Sequence, residues 1–160
     1  MDRTNGKAPM RGQAHDRLGV WVGTWHAEGE SYAAGQSKAN PRGSVEKWVS
    51  DETIEWIPGR FFVVRRTDGM VGANDIKGID IFSVEPDSKG YVARAYENHG
   101  FMRDYVVHVD GNIWTFTGET ERARVEFVNG GNTQNVSWEW RKPGQEWLPL
   151  CDRAATRVAA

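Results

Sequence analysis

Turn chemistry interrupts this chain so often that no long helix fits into it. Pro58-Gly59, Asp68-Gly69 with Gly72, Glu85–Gly90, Asp110-Gly111, Asn129-Gly130-Gly131-Asn132 and Pro143-Gly144 each mark a bend or reversal. Gly and Asn accept positive φ and Pro pre-sets φ, which is what tight hairpins require. Between these points apolar and polar residues alternate with period two, the pattern of half-buried strands. The alternation predicts strands near 20–32, 44–57, 60–68, 74–84, 91–98, 101–109, 112–118, 122–129, 133–141 and 146–157. Residues 10–19 are read as one or two helical turns leading into the first strand, and 1–9 as a small, polar, disordered start. Residues 33–43 form the longest loop, of the kind that often covers a barrel mouth.

Short strands joined by tight turns make a meander, and a meander removes its sticky edges by closing on itself. The expected fold is therefore all-β: an antiparallel up-and-down barrel of about ten strands with a short helical segment before it. A two-sheet sandwich is the alternative. The 160 residues suit one domain, expected over 18–160 behind a flexible segment 1–17. Eight Trp and eighteen Gly fit a barrel, since aromatics supply wall and core volume and Gly marks bends.

The totals also narrow the partners. The formal charge is −2 with acids and bases well mixed, so no basic tract points to nucleic acid. No apolar run approaches a membrane span, and residues 1–17 lack the apolar core of a secretory signal. One cysteine, Cys151, excludes an internal disulfide and suits a reducing compartment, so the expected location is cytoplasmic. No metal motif, Gly-rich phosphate loop or nucleophile elbow is present. No cofactor is expected, and the expected partner is a small molecule. A homodimer through outward apolar positions such as Ile79 and Ile81 is compatible with this composition.

The run from Leu18 to Tyr32 carries a Gly-x-Trp step twice, Gly19-Val20-Trp21 and Gly23-Thr24-Trp25. Trp25 is read as an end plug, and His26 as a surface residue beside Thr24, Glu28 and Glu30. With Glu28-Gly29-Glu30 and Tyr32, this run resembles the opening of the DUF1579 and nitrobindin groups of lipocalin-like (calycin) barrels. Glu52-Thr53, Trp56-Ile57-Pro58-Gly59-Arg60-Phe61, Lys77-Gly78-Ile79 and Asp110-Gly111-Asn112 through Thr115-Phe116-Thr117-Gly118-Glu119 extend the likeness to about residues 18–158. The resemblance implies the barrel and a cavity but no reaction. Nitrobindin-type barrels hold haem through a late-strand His. Here His15, His26, His99 and His108 all precede the last strand, so haem is the weakest reading.

Chemistry is sought on inward faces. In Ile76–Val84, Ile76, Gly78, Asp80, Phe82 and Val84 share one face. The resembled family commonly carries Gly where Asp80 stands. Folding about a hairpin centred near Asp87 or Ser88 brings Asp80 opposite Arg94 or Ala95. The first register predicts an inward stripe of Asp80, Arg94, Tyr96 and Asp104, with His99 at the adjoining tip and His108 on the face of Asp104. Asp80 is then a candidate general base, Arg94 the orienting cation, and Tyr96 or His99 a proton donor. Phe82, Trp114, Phe116, Trp138 and Asp104 are the candidate ligand contacts. Arg65-Arg66 and Arg122/Arg124 read as solvated outer faces.

These residues leave two functions open. One is a barrel binding a small, mostly apolar molecule. The other is a cofactor-free isomerase, cyclase or lyase working inside the barrel. An Asp–Arg pair that only fixes register is the plain structural alternative to both.

Overall fold

In the computed structural model, which describes residues 7–86 and 90–159, the meander closes. A short helix α1 (Gln13–Arg17) runs into a 3-10 turn (Leu18–Trp21). Ten strands follow: β1 (Gly23–Ser31), β2 (Glu46–Trp56), β3 (Phe62–Val71), β4 (Asn74–Val84), β5 (Tyr91–Glu97), β6 (Met102–Asp110), β7 (Ile113–Thr117), β8 (Glu121–Val128), β9 (Thr133–Trp140) and β10 (Leu148–Arg157). Each pairs antiparallel with its neighbour in sequence, and β1 pairs with β10 to complete the ring. No helix among the described residues is long and apolar enough to cross a membrane.

The first strand starts three residues later than the alternation predicts, because Leu18–Trp21 is a 3-10 turn. That turn eclipses residues three apart. Leu18 and Trp21 therefore point the same way, and both are completely buried. They fill one end of the barrel. Trp21 meets Phe82, Trp114, Phe116 and Phe127 edge-on, with ring centroids 4.9–5.8 Å apart. Trp25 donates its indole N–H to the Trp21 carbonyl at 2.9 Å. The end plug is thus a pair of tryptophans, with Trp21 the more central.

Arg157, at the end of β10, fastens this plug. Its guanidinium lies 4.2 Å from the Trp25 ring centroid. It donates to the carbonyls of Val20, Val22 and Gly131 and to the side-chain oxygen of Asn132. Replacing Arg157 by Ala strips these part-buried carbonyls of donors, each worth about 1–3 kcal/mol when left unmet. The expected loss is about 3 kcal/mol, roughly a 6–12 °C drop in Tm for a chain of this size. A thermal melt followed by Trp fluorescence reads it.

One turn assignment is corrected. Asp68-Gly69 lies inside β3, and the reversal comes at Gly72, φ 58°. Gly69 is there for a different reason. A Cβ at that position would stand 2.4 Å from the Val49 carbonyl oxygen, and one at Gly29 would stand 2.1 Å from that of Asp152. Both glycines let neighbouring backbones approach where the sheet bends into a barrel.

Candidate functional site

The register fixes which residues look inward. One row crosses the wall as Ile54, Arg65, Asp80, Ala95 and Arg103 on successive strands β2 to β6. Cross-strand partners share a face, so every member of this row points inward with Asp80. Asp80 is an inward carboxylate, and its partner is Arg65: Nε donates to Oδ2 at 2.6 Å, with the side chains 12% and 14% exposed. Burial alone would lower the Arg65 pKa. The Asp80 and Glu52 charges outweigh it and hold the guanidinium well above its ordinary range.

The expected stripe is corrected here. Asp80 faces Ala95, not Arg94. The hairpin centre near Asp87 or Ser88 lies outside the described residues, but the register on either side of it differs by one from the stripe. A shift of one residue turns every side chain over. Arg94, Tyr96 and Asp104 therefore point outward, and Arg94 pairs with Asp104 on the surface at 3.2 Å. His108 shares that outer face and is exposed. His99 sits at the β5–β6 tip with Nδ1 2.5 Å from Glu97 Oε2, while the backbone N–H groups of His99 and Phe101 donate to Glu97 Oε1. Burial tends to raise the Glu97 pKa, but His99 and these donors bring it below its ordinary value. Glu97 and His99 clasp a turn, away from Asp80.

The aromatic candidates divide. Phe82, Trp114 and Phe116 all face inward and are buried, but Trp21 occupies the space between them. With Leu18 and Tyr91 they leave no water-sized gap. Trp138 lies further along, half-buried, with its ring 5.5 Å from that of Tyr105. His26 is an outer-face residue, as expected. Its ring nitrogens meet Asp51 at 2.8 Å and Glu28 at 3.3 Å, and the Asp51 bond leads in raising its pKa.

Past the plug the interior becomes polar. Glu52, 3% exposed, and Arg153, whose side chain is 8% exposed, face each other with Oε1 and Nη1 3.7 Å apart. The Arg153 guanidinium rests 4.3 Å from the Trp48 ring centroid. Toward the end opposite the plug, Arg103 pairs with Glu121 at 3.1 Å, and Tyr105 donates its hydroxyl to the same carboxylate at 2.9 Å. Burial first, and the Glu121 charge second, push the Tyr105 pKa well above its usual value. Gln134, 2% exposed, has an amide nitrogen with no hydrogen-bond partner among the described residues. Glu52, Arg65, Gln134, Arg153, Phe116 and Trp138 line a cavity of about 10 Å³, the room that one water needs.

This cluster escaped the sequence reading, which took Arg65 for a solvated residue alongside Arg66. The missed signal is parity. Two consecutive strand residues cannot both face water, and Arg65 shares its parity with buried Val63. Glu52 likewise alternates with buried Ser50 and Ile54, and Arg153 with buried Cys151 and Ala155.

The long loop after β1 is anchored at the rim. The Gln36 amide accepts from Trp140 Nε1 at 2.7 Å and donates to the Pro149 carbonyl at 2.5 Å. Pro149 sits where the β9–β10 register shifts, the kind of irregularity that accepts proline in a sheet.

The chain does not fit the haem of nitrobindin-type barrels. His26 and His108 face outward, His99 is at a turn tip, and His15 packs edge-on against Phe61 outside the barrel. Cys151 is buried between Ser31 and Trp138, and burial pushes its thiol up to about 11. The native protein is expected to resist thiol labelling at pH 8 and to react once unfolded, a comparison that a thiol-colour assay with and without denaturant makes directly. Among the described residues no three His, Cys, Asp or Glu side chains come together as metal ligands do.

No protein-family model matches the chain, and no curated protein matches it. Solved structures do. The crystal structure of Rv2717c from M. tuberculosis is 12% identical, with 94% of this chain and 100% of that chain covered and a TM-score of 0.66. The S-type phycobiliprotein lyase CPES from Guillardia theta is also 12% identical, with 95% and 99% covered and a TM-score of 0.59. At that identity the likeness shows the fold alone, a lipocalin/calycin-like barrel closed by ten antiparallel strands.

Proposed function

We propose that this barrel is a binding protein for a small organic molecule at the end opposite the Trp21 plug, with one acceptor oxygen taking the water-sized space beside Arg153 and Gln134 and the body of the molecule staying outside that space. One observation carries the reading: the inner face beyond the plug is polar, with Glu52, Arg65, Gln134 and Arg153 converging on one small cavity inside a closed ten-strand barrel. A carboxylate is the best match, because a guanidinium can hold it through two parallel bonds. The apolar body of such a ligand would lie toward half-buried Trp48 and Trp138.

The acid–base reading is less well supported. Asp80 already accepts a 2.6 Å bond from Arg65, and neither Arg94 nor Tyr96 reaches it. The kinship with DUF1579 and the cytoplasmic location remain part of this proposal, resting on the quoted motifs and on the free thiol of Cys151.

The test is native mass spectrometry with a library of small aromatic and aliphatic acids and their neutral amides. Acids are expected to be retained in preference to the matching amides. In Arg153→Gln the affinity should fall at least ~10-fold, the equivalent of about 1.4 kcal/mol. Equal retention by the Arg153→Gln variant would remove Arg153 from the account.

A further inference from the structure

The outer faces of β5 and β6 carry a pattern that the ligand site does not use. Their outward residues form three consecutive cross-strand pairs: Val92 with Val106, Arg94 with Asp104, and Tyr96 with Met102. Met102 is 75% exposed, and Tyr96 and Val106 are also exposed although large and apolar. On β4 the same rows continue through Ile81, beside Arg94, and exposed Ile79, beside Tyr96. These exposed apolar residues are contiguous around a central ion pair rather than scattered singly.

We infer that the face covers a second copy of this chain, in an isologous dimer whose two-fold axis runs between β5 and β6, parallel to them. In such a contact residue i meets j and j meets i. The axis exchanges the positions of β5 and β6. Arg94 then meets Asp104 of the second copy, and Asp104 meets its Arg94. Tyr96 falls on the second copy's Met102, and Val92 on its Val106. Every row is complementary to its own image. An axis across the strands would instead set Arg94 on Arg94, which like-charge repulsion forbids.

Shape supports the same axis. Pairing of β6 with β7 begins only at Val106 and Thr117. Beyond it, a groove separates Met102–Tyr105 from the turn Gly118–Glu121. The two-fold places the second copy's Ile79 and Ile81 over that recess. The convex wall of one barrel so meets a recess in the wall of the other.

Sedimentation velocity on the full chain over a concentration series tests this. The wild type is expected to pass from monomer to dimer as concentration rises. Arg94→Asp alone and Asp104→Arg alone each set like charges opposite one another and should raise the dimer Kd at least ~10-fold. The double exchange R94D/D104R restores the opposite pairing and should bring the dimer back. Val106→Asp, on a different row, should also give monomer. Circular dichroism melts confirm that each variant folds. A wild type that stays monomeric throughout overturns the inference. So does a dimer that none of these substitutions weakens, or one that the double exchange fails to restore.

Discussion

Asp80→Ala is expected to cost about 3–5 kcal/mol of stability, although it removes a side chain from the polar part of the interior. The reason is Arg65. Its guanidinium is nearly buried, held by a 2.6 Å bond to Asp80, and its charge has been taken out of water. Deleting the carboxylate leaves that charge with only the more distant Glu52 to balance it. Removing both charges is a different matter. Arg65→Met with Asp80→Leu fills the same space without ions, and such replacements are often neutral or stabilising. The signature is therefore a large single-variant loss and a small double-variant loss, read from urea unfolding midpoints. A single variant within ~0.5 kcal/mol of wild type would mean that the pair is hydrated and contributes as an exposed ion pair does.

Trp21→Ala is expected to cost about as much, roughly 3–5 kcal/mol, through a different mechanism. Trp21 is completely buried and meets four aromatic rings. Those rings belong to β4, β7 and β8, which cannot move inward without breaking the sheet that closes the barrel. The cavity stays open, and a cavity that cannot collapse adds to the lost transfer free energy. Trp21→Phe keeps part of the volume and should cost less than half as much. The measurement is again urea unfolding, followed by far-UV circular dichroism so that loss of the fluorophore does not confuse the signal. A loss under ~1 kcal/mol for Trp21→Ala would show that the 3-10 turn is a replaceable cover and not part of the core.

The fold was legible because its causes are local. Alternation places each strand, and Pro58-Gly59, Asp110-Gly111 and Asn129–Asn132 place reversals, with strand ends agreeing to within three residues. Gly69 misled because a glycine kept for a close carbonyl approach looks, in sequence, like a glycine kept for a turn. The site was only partly legible. That Asp80 faces inward follows from its alternation with Phe82 and Val84 on one strand. Which residue meets it depends on register, and register depends on a loop whose conformation the residue types do not specify. One residue of slip separates Ala95 from Arg94 and sends Arg94, Tyr96 and Asp104 to the surface. Parity alone turns Arg153 inward, but where it and Gln134 lie across the barrel is set by closure. They come from β9 and β10 and meet Glu52 and Arg65 only because the barrel closes.

The barrel is shut by aromatic packing at the Trp21 end, and its polar interior beyond that plug brings Gln134 and Arg153 together. A crystal structure of the protein soaked with an acid retained in the mass-spectrometry screen tests most directly whether they hold a ligand. The expected result is a ligand oxygen within hydrogen-bonding distance of Gln134 Nε2 and the Arg153 guanidinium, with the Trp21 cluster unmoved. A single ordered water on Gln134, with the acid bound elsewhere or not at all, would contradict it.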